Sequence, residues 1–219
     1  MLLGFVRTGD RKSWPLLLNG KKTCVMKNQK ARLLERLHLN HDAQDLGLYV
    51  HIPFCKKRCH FCAFYLTSYQ EDRVQGFLSA LAKEISFYSS QARCHGFHLS
   101  SIYFGGGTPT SLQSEQLVEI IRCIQQYFSL SSSLEMTVEA DPDTVDLDSL
   151  QVLSEAGVNR LSFGVQSLEE FEWKQLGRSG AMSSVEQAIK MAKETIVLAE
   201  KIFSSDIYHP ALLITYGTL

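Results

Sequence analysis

The chain has 219 residues, 45% of them hydrophobic, and a formal net charge of −1 at pH 7. That is enough apolar material for one sizeable core, and the near-neutral balance excludes the basic excess of a general nucleic-acid binder. No apolar stretch approaches the roughly 20 residues that cross a bilayer. Six cysteines without a signal segment suit a reducing, cytoplasmic compartment rather than a disulfide framework.

Residues 1–46 are basic, with nine Lys or Arg up to Asn40 against Asp10 and Glu35. The run at 16–18 is too short for a signal core. Residues 27–39 place Leu33, Leu34 and Leu37 on one side of a short basic helix. A solvated extension is the plain reading of this segment; an organellar transit segment or a docking helix is the alternative. From Leu48 a rhythm of strands and helices begins. The apolar run 48–52 leads to Pro53 and then to Cys55, Cys59 and Cys62. A helix is predicted over 71–89, with Val74, Phe77, Leu78, Leu81 and Ile85 as its buried face. Residues 101–104 read as a strand that stops at Gly105-Gly106-Gly107-Thr108.

Ser114 is a candidate helix cap, followed by Leu117, Ile120, Ile121, Ile124 and Phe128 at helical spacing. A strand over 134–138 exits at Glu139 and the turn Asp141-Pro142-Asp143. A helix over 147–156 ends at Gly157, a strand over 160–165 closes on Gln166, and another helix runs over 168–176. Four βα units in succession imply crossover connections and a parallel sheet, an α/β fold. In βα barrels the chemistry gathers at the C-terminal strand ends. Here those ends carry the cysteine loop, the triple glycine, Glu139 and Gln166.

Three thiolates on one short loop can hold one face of an iron–sulfur cube, which normally takes four cysteines, and leave one iron open. Zinc on the three cysteines with His60 or His51 is the competing reading. Cys24, Cys94 and Cys123 look like ordinary core or surface thiols. A triple glycine alone is more often a tight turn than a ligand cradle. Glu139, Gln166 and Arg178 taken singly read as solvated side chains, although each offers groups that would suit a ribose, an ammonium or a carboxylate.

The spacing Cys55-x3-Cys59-x2-Cys62, preceded by Tyr49-Val50-His51-Ile52-Pro53-Phe54, resembles the signature of the radical S-adenosylmethionine (SAM) superfamily. It is most similar to the branch of oxygen-independent coproporphyrinogen III oxidases and HemW-type heme chaperones. The resemblance runs from about Leu48 to Lys193. It implies a [4Fe–4S] cluster on Cys55, Cys59 and Cys62, and SAM contacts at Tyr49, Phe61, Gly106, Gly107, Thr108, Glu139, Gln166 and Arg178. It also implies SAM binding at the open iron, one-electron cleavage of the sulfonium and a 5′-deoxyadenosyl radical, with heme or a porphyrinogen and a one-electron reductant as partners. In the oxidase branch that radical starts the decarboxylation of a porphyrinogen propionate.

Two features depart from the family pattern. The oxidases resemble C-x3-C-x2-C-x-C, whereas Phe64 occupies the last of those positions here, as in the HemW-type chaperones. Past Lys193 the family would continue with further strands and a C-terminal domain. Residues 194–219 instead read as a helix prolonged through Glu194-Thr195-Ile196-Val197-Leu198-Ala199-Glu200-Lys201-Ile202-Phe203, with one more strand over 211–216. The expectation is therefore a partial radical-SAM (β/α) barrel over 47–193, incomplete at its C-terminus, with a basic extension over 1–46 and a divergent tail over 194–219. A truncated, spliced or frameshifted product is the simplest source of such a chain. Its exposed barrel edge would invite aggregation or pairing with a second copy.

Overall fold

A computed structural model describes residues 3–7, 45–94, 97–167, 169–178, 182–196 and 198–202. The strands are β1 (Leu3–Arg7), β2 (Asp45–Ile52), β3 (Phe54–Cys55), β4 (Thr67–Ser68), β5 (His98–Gly106), β6 (Leu130–Ala140), β7 (Arg160–Gly164) and β8 (Leu198–Ile202). The helices are α1 (Glu71–Cys94), α2 (Ser114–Tyr127), α3 (Leu147–Glu155), α4 (Glu170–Gln175) and α5 (Met182–Thr195). Six strands form one sheet in the order β1-β2-β5-β6-β7-β8. β1 is antiparallel to β2, and every later neighbour pairs in parallel. Each parallel step carries a helix between its strands, as a parallel connection requires.

Side chains alternate across the sheet with a period of two. Leu48, Val50, Ile52, Ile102, Phe104, Met136, Val138, Leu161 and Phe163 are buried in one hydrophobic cluster that also takes in the helices. Val74, Leu78, Leu81 and Ile85 of α1 join it, as do Leu117, Ile120, Ile121 and Ile124 of α2, so the helical spacing read from the sequence marks the buried faces. Phe77 is only partly buried, and its ring meets Phe54 edge-on at 5.2 Å. The intervening positions Tyr49, Tyr103, Glu139 and Ser162 line a cavity.

Four local expectations change. Ser114 is the first residue of α2 and not its cap; Gln113 caps, with its N–H taken by Gln116 Oε1 at 3.0 Å. The helix predicted to run on past 194 stops at Thr195, where Ser154 Oγ of α3 donates to the Thr195 carbonyl at 2.7 Å. The chain then turns and lays β8 beside β7, satisfying backbone groups that would otherwise be unpaired. The parallel array thus has five strands, β2, β5, β6, β7 and β8, one more than the four βα units counted. Within the N-terminal extension, residues 3–7 are ordered as a strand with Leu3 opposite Val50 and 2% exposed. The basic helix over 27–39 and the strand over 211–216 lie outside the described residues. Among the described residues no helix is long and apolar enough to cross a membrane.

Candidate functional site

The cysteine loop is a closed excursion. Pro53 ends β2, and β3 pairs with β4 so that Thr67 N–H reaches the Pro53 carbonyl at 2.7 Å and Tyr69 N–H the Cys55 carbonyl at 3.0 Å. Between these ties lie Cys55, which is buried, and Cys59 and Cys62, which are partly exposed. Cys62 N–H turns back to the Cys59 carbonyl at 3.3 Å. A second set of bonds stitches the glycine turn under the loop. Gly107 N–H donates to Ile52, Thr108 N–H to Phe54, each at 2.8 Å, and Ser111 Oγ to Phe54 at 3.0 Å.

The glycines are needed there because protein crowds them. Gly106 has φ +122°, and a Cβ on it would lie 2.6 Å from the His51 ring. A Cβ on Gly107 would lie 2.6 Å from the Phe54 carbonyl and 3.0 Å from Cys55 Sγ. The close approach anticipated for a ligand is thus already an approach to the cysteine loop. Thr108 Oγ1 sits 3.5 Å from Cys55 Sγ. Burial raises the Cys55 thiol, Thr108 pulls it down, and the neighbouring Cys62 and Cys59 push it up again.

Across the strand ends runs a polar row. Tyr49 and Tyr103 stack at 6.1 Å, Tyr103 OH donates to Glu139 Oε1 at 2.7 Å, and Gly106 N–H donates to Glu139 Oε2 at 3.2 Å. Burial holds the Glu139 carboxyl above the usual carboxylate range, and those two bonds partly offset it. Burial first, and then the Glu139 charge, lifts both tyrosine phenols. His51 Nε2 faces the Tyr65 carbonyl at 3.3 Å, so it carries the proton and Nδ1 accepts from Tyr49 OH at 3.1 Å. Burial lowers the His51 pKa, which keeps the ring neutral.

Gln166 follows β7 with φ +72°, a backbone conformation rare for a residue with a Cβ and frequent at functional sites. Trp173 of α4 braces that corner, donating Nε1–H to the Val165 carbonyl at 2.6 Å. Arg178, just past α4, pairs with Asp141 at 2.6 Å and is 8% exposed. Gly177 has φ +70°, and a Cβ on it would strike the His60 ring at 2.8 Å, so this corner too is fitted against the cysteine loop.

One cavity of about 430 Å³ joins these parts, within the usual size of a small-molecule site. Tyr49, Cys55, Cys59, Phe61, Cys62, Gly106, Gly107, Thr108, Glu139, Gln166 and Arg178 all line it, so every candidate residue from the sequence meets in one place. Sequence reasoning did not single out Tyr103, Asp141, Ser162 or Phe163 as cavity-lining residues, and His51 entered only as a zinc candidate. The signal for Tyr103 and Ser162 was their alternation with buried strand residues. Among the described residues no three His, Cys, Asp or Glu side chains converge on one ion-sized point. Both His51 nitrogens are already engaged. Three thiols set around a cavity with room beside them fit a polynuclear iron–sulfur cluster with an open iron better than a closed single-ion site.

Comparison with known proteins agrees with that donor set. The Radical SAM superfamily profile matches residues 49–198. A heme chaperone HemW from Bacillus subtilis is 41% identical over 147 residues, covering 67% of this chain and 38% of the relative. An oxygen-independent coproporphyrinogen III oxidase from Helicobacter pylori is 35% identical over 168 residues, covering 74% of this chain and 36% of the relative. The solved structure of coproporphyrinogen III oxidase (HemN) from Escherichia coli, described as a radical SAM enzyme, superposes with a TM-score of 0.69 at 30% identity, covering 75% of this chain and 37% of that one. The chain thus spans less than two fifths of the length of these relatives. It belongs to the radical SAM superfamily, which works with a [4Fe–4S] cluster and SAM, and within it is related to the HemW heme chaperones and the oxygen-independent coproporphyrinogen III oxidases.

Proposed function

We propose that this chain is the cluster- and SAM-binding part of a HemW-like heme carrier. Cys55, Cys59 and Cys62 hold the cluster. Tyr49, Phe61, Gly106, Gly107, Thr108, Glu139, Gln166 and Arg178 receive SAM. The observation favouring a carrier over a decarboxylase is Phe64, which lines the cavity two residues after Cys62, where the oxidase branch has a further cysteine. When bound, the cluster and SAM supply one-electron chemistry that no side chain of the chain can perform. The protein's own part is to position them. The stitched loop aims the thiols, Glu139 and Gln166 present acceptors, and Arg178 offers a planar cation suited to a carboxylate. A one-electron reductant in a reducing, cytoplasmic compartment, heme or a porphyrinogen, and pairing with a second copy complete the reading. The second reading, propionate decarboxylation, rests on the same site and on the oxidase relatives.

The test is anaerobic loading with iron and sulfide, reduction, and electron paramagnetic resonance with and without SAM. A four-iron signal that changes on adding SAM is the expected result; a signal indifferent to SAM would sink the SAM-site assignment. Cys59→Ala should abolish stable cluster uptake, and unchanged iron and sulfide content would reject the ligand set. Heme uptake and transfer without turnover supports the carrier, whereas a vinyl product from a porphyrinogen supports the decarboxylase.

A further inference from the structure

Asp141 leaves β6 at the cavity wall with nearly all of its polar groups engaged. Its N–H reaches Thr110 Oγ1 at 3.3 Å, its carbonyl accepts from Thr144 Oγ1 at 2.8 Å, and Oδ1 accepts from the Asp143 N–H at 3.0 Å. Pro142 then opens a short 3₁₀ turn, Pro142–Thr144. The remaining carboxylate oxygen, Oδ2, accepts from Arg178 Nη1 at 2.6 Å. The guanidinium also gives Nη2 to the Gly164 carbonyl, lies 5.5 Å from the centre of the Trp173 ring, and brings Nη1 to 3.9 Å from Cys59 Sγ. Four parts of the fold meet at this one cation: the ends of β6 and β7, the α4 corner and the cysteine loop.

A buried guanidinium stays in one orientation only while a counter-charge and acceptors fix its fork. Asp141 is the anion in contact with it, and Asp141 is itself held too firmly to follow a moving partner. Donors aimed at a cluster-ligating sulfur draw charge from it and tune the reduction potential, and the groups that aim them matter nearly as much as the ligands.

We propose that Asp141 is a positioning residue: it anchors Arg178 so that a guanidinium N–H faces the Cys59 sulfur, and through that contact it raises the reduction potential of the cluster held there. The second half rests on the cluster reading above, and the test separates the two. In a Trp14→Phe background, Trp173 is the sole tryptophan. Its emission then reports the guanidinium beside it in the chain without iron. Asp141→Asn and Arg178→Lys should shift that emission in the same sense, the double variant should add nothing to either, and Asp141→Glu, which keeps the charge, should recover part of the wild-type signal.

In the iron-loaded chain, a redox titration followed by electron paramagnetic resonance should show Asp141→Asn lowering the equilibrium constant for one-electron reduction by about tenfold, a shift of about 59 mV. Emission and potential both unchanged in Asp141→Asn while Arg178→Lys moves them would overturn the anchoring role, as would fully additive effects in the double variant. A wild-type chain that takes up no iron would overturn the redox half and the cluster reading together, and the Trp173 comparison would still decide the anchoring. If Asp141→Asn does not fold, Asp141→Glu against Arg178→Lys carries the same comparison.

Discussion

Gly107 and Glu139 show how single residues constrain this site in opposite ways. Gly107 matters for what it lacks. Any Cβ there meets a backbone carbonyl at 2.6 Å, and Phe54 is held by two other bonds and cannot withdraw. Gly107→Ala should therefore cost about 1–3 kcal/mol of stability, as overpacking does. Urea unfolding would measure it, and an unchanged midpoint would mean the loop can give. Glu139 matters for its charge. Its folded pKa is raised by burial, so between its unfolded and folded pKa values the native chain holds a proton that the unfolded chain has released. Stability then falls as pH rises through that window and is level on either side. Glu139→Gln should remove this slope, so that its advantage over the wild type grows from mildly acidic pH toward neutrality. Parallel urea curves for the two chains across that range would show that another group carries the proton.

At the scale of elements, the helices were the most legible parts, because their apolar spacing is a local property. The α1 and α2 faces read from sequence are the faces the core buries. Within α1, Gly76 is exposed and a Cβ there would meet nothing within 4 Å, so it contributes only backbone entropy to the unfolded state. Gly76→Ala should stabilise the chain by about 0.5–1 kcal/mol, read as a higher denaturant midpoint with unchanged slope. A lower midpoint would mean that α1 packs against something further. The end of α5 was not legible. Nothing in the local sequence around Thr195 announces a stop; the donor that takes its carbonyl comes from Ser154, 41 residues away. The strand β8 likewise exists because β7 offers it a ladder.

For the whole molecule, the decisive fact is that the C-terminal ends of successive strands, the cysteine loop and the α4 corner wall a single cavity. A ligand that fills it ties these parts together and binds only the folded chain. In the cluster-loaded chain, SAM at a hundredfold excess over its Kd should therefore stabilise by about 2.7 kcal/mol. For a chain of this size that corresponds to about 5–10 °C in Tm. Thermal unfolding with and without SAM checks it, and no shift would mean the cavity does not close on SAM.

The sequence by itself determined the chemistry: three cysteines at x3 and x2 spacing, a glycine turn after one strand, a carboxylate and an amide after the next two, and an arginine beyond. Those are covalent facts about which donors the chain owns, and the strand–helix rhythm placed them at one end of a parallel sheet. Only the tertiary structure decided what each donor does to its neighbours. That Gly106 and Gly107 accommodate His51, Phe54 and Cys55, that Tyr103 holds Glu139, and that Asp141 holds Arg178 against Cys59 depend on register and on contacts made across 33 to 119 residues of chain. Hydrophobic periodicity is set residue by residue, whereas these partners are chosen by which strand ends the fold brings side by side.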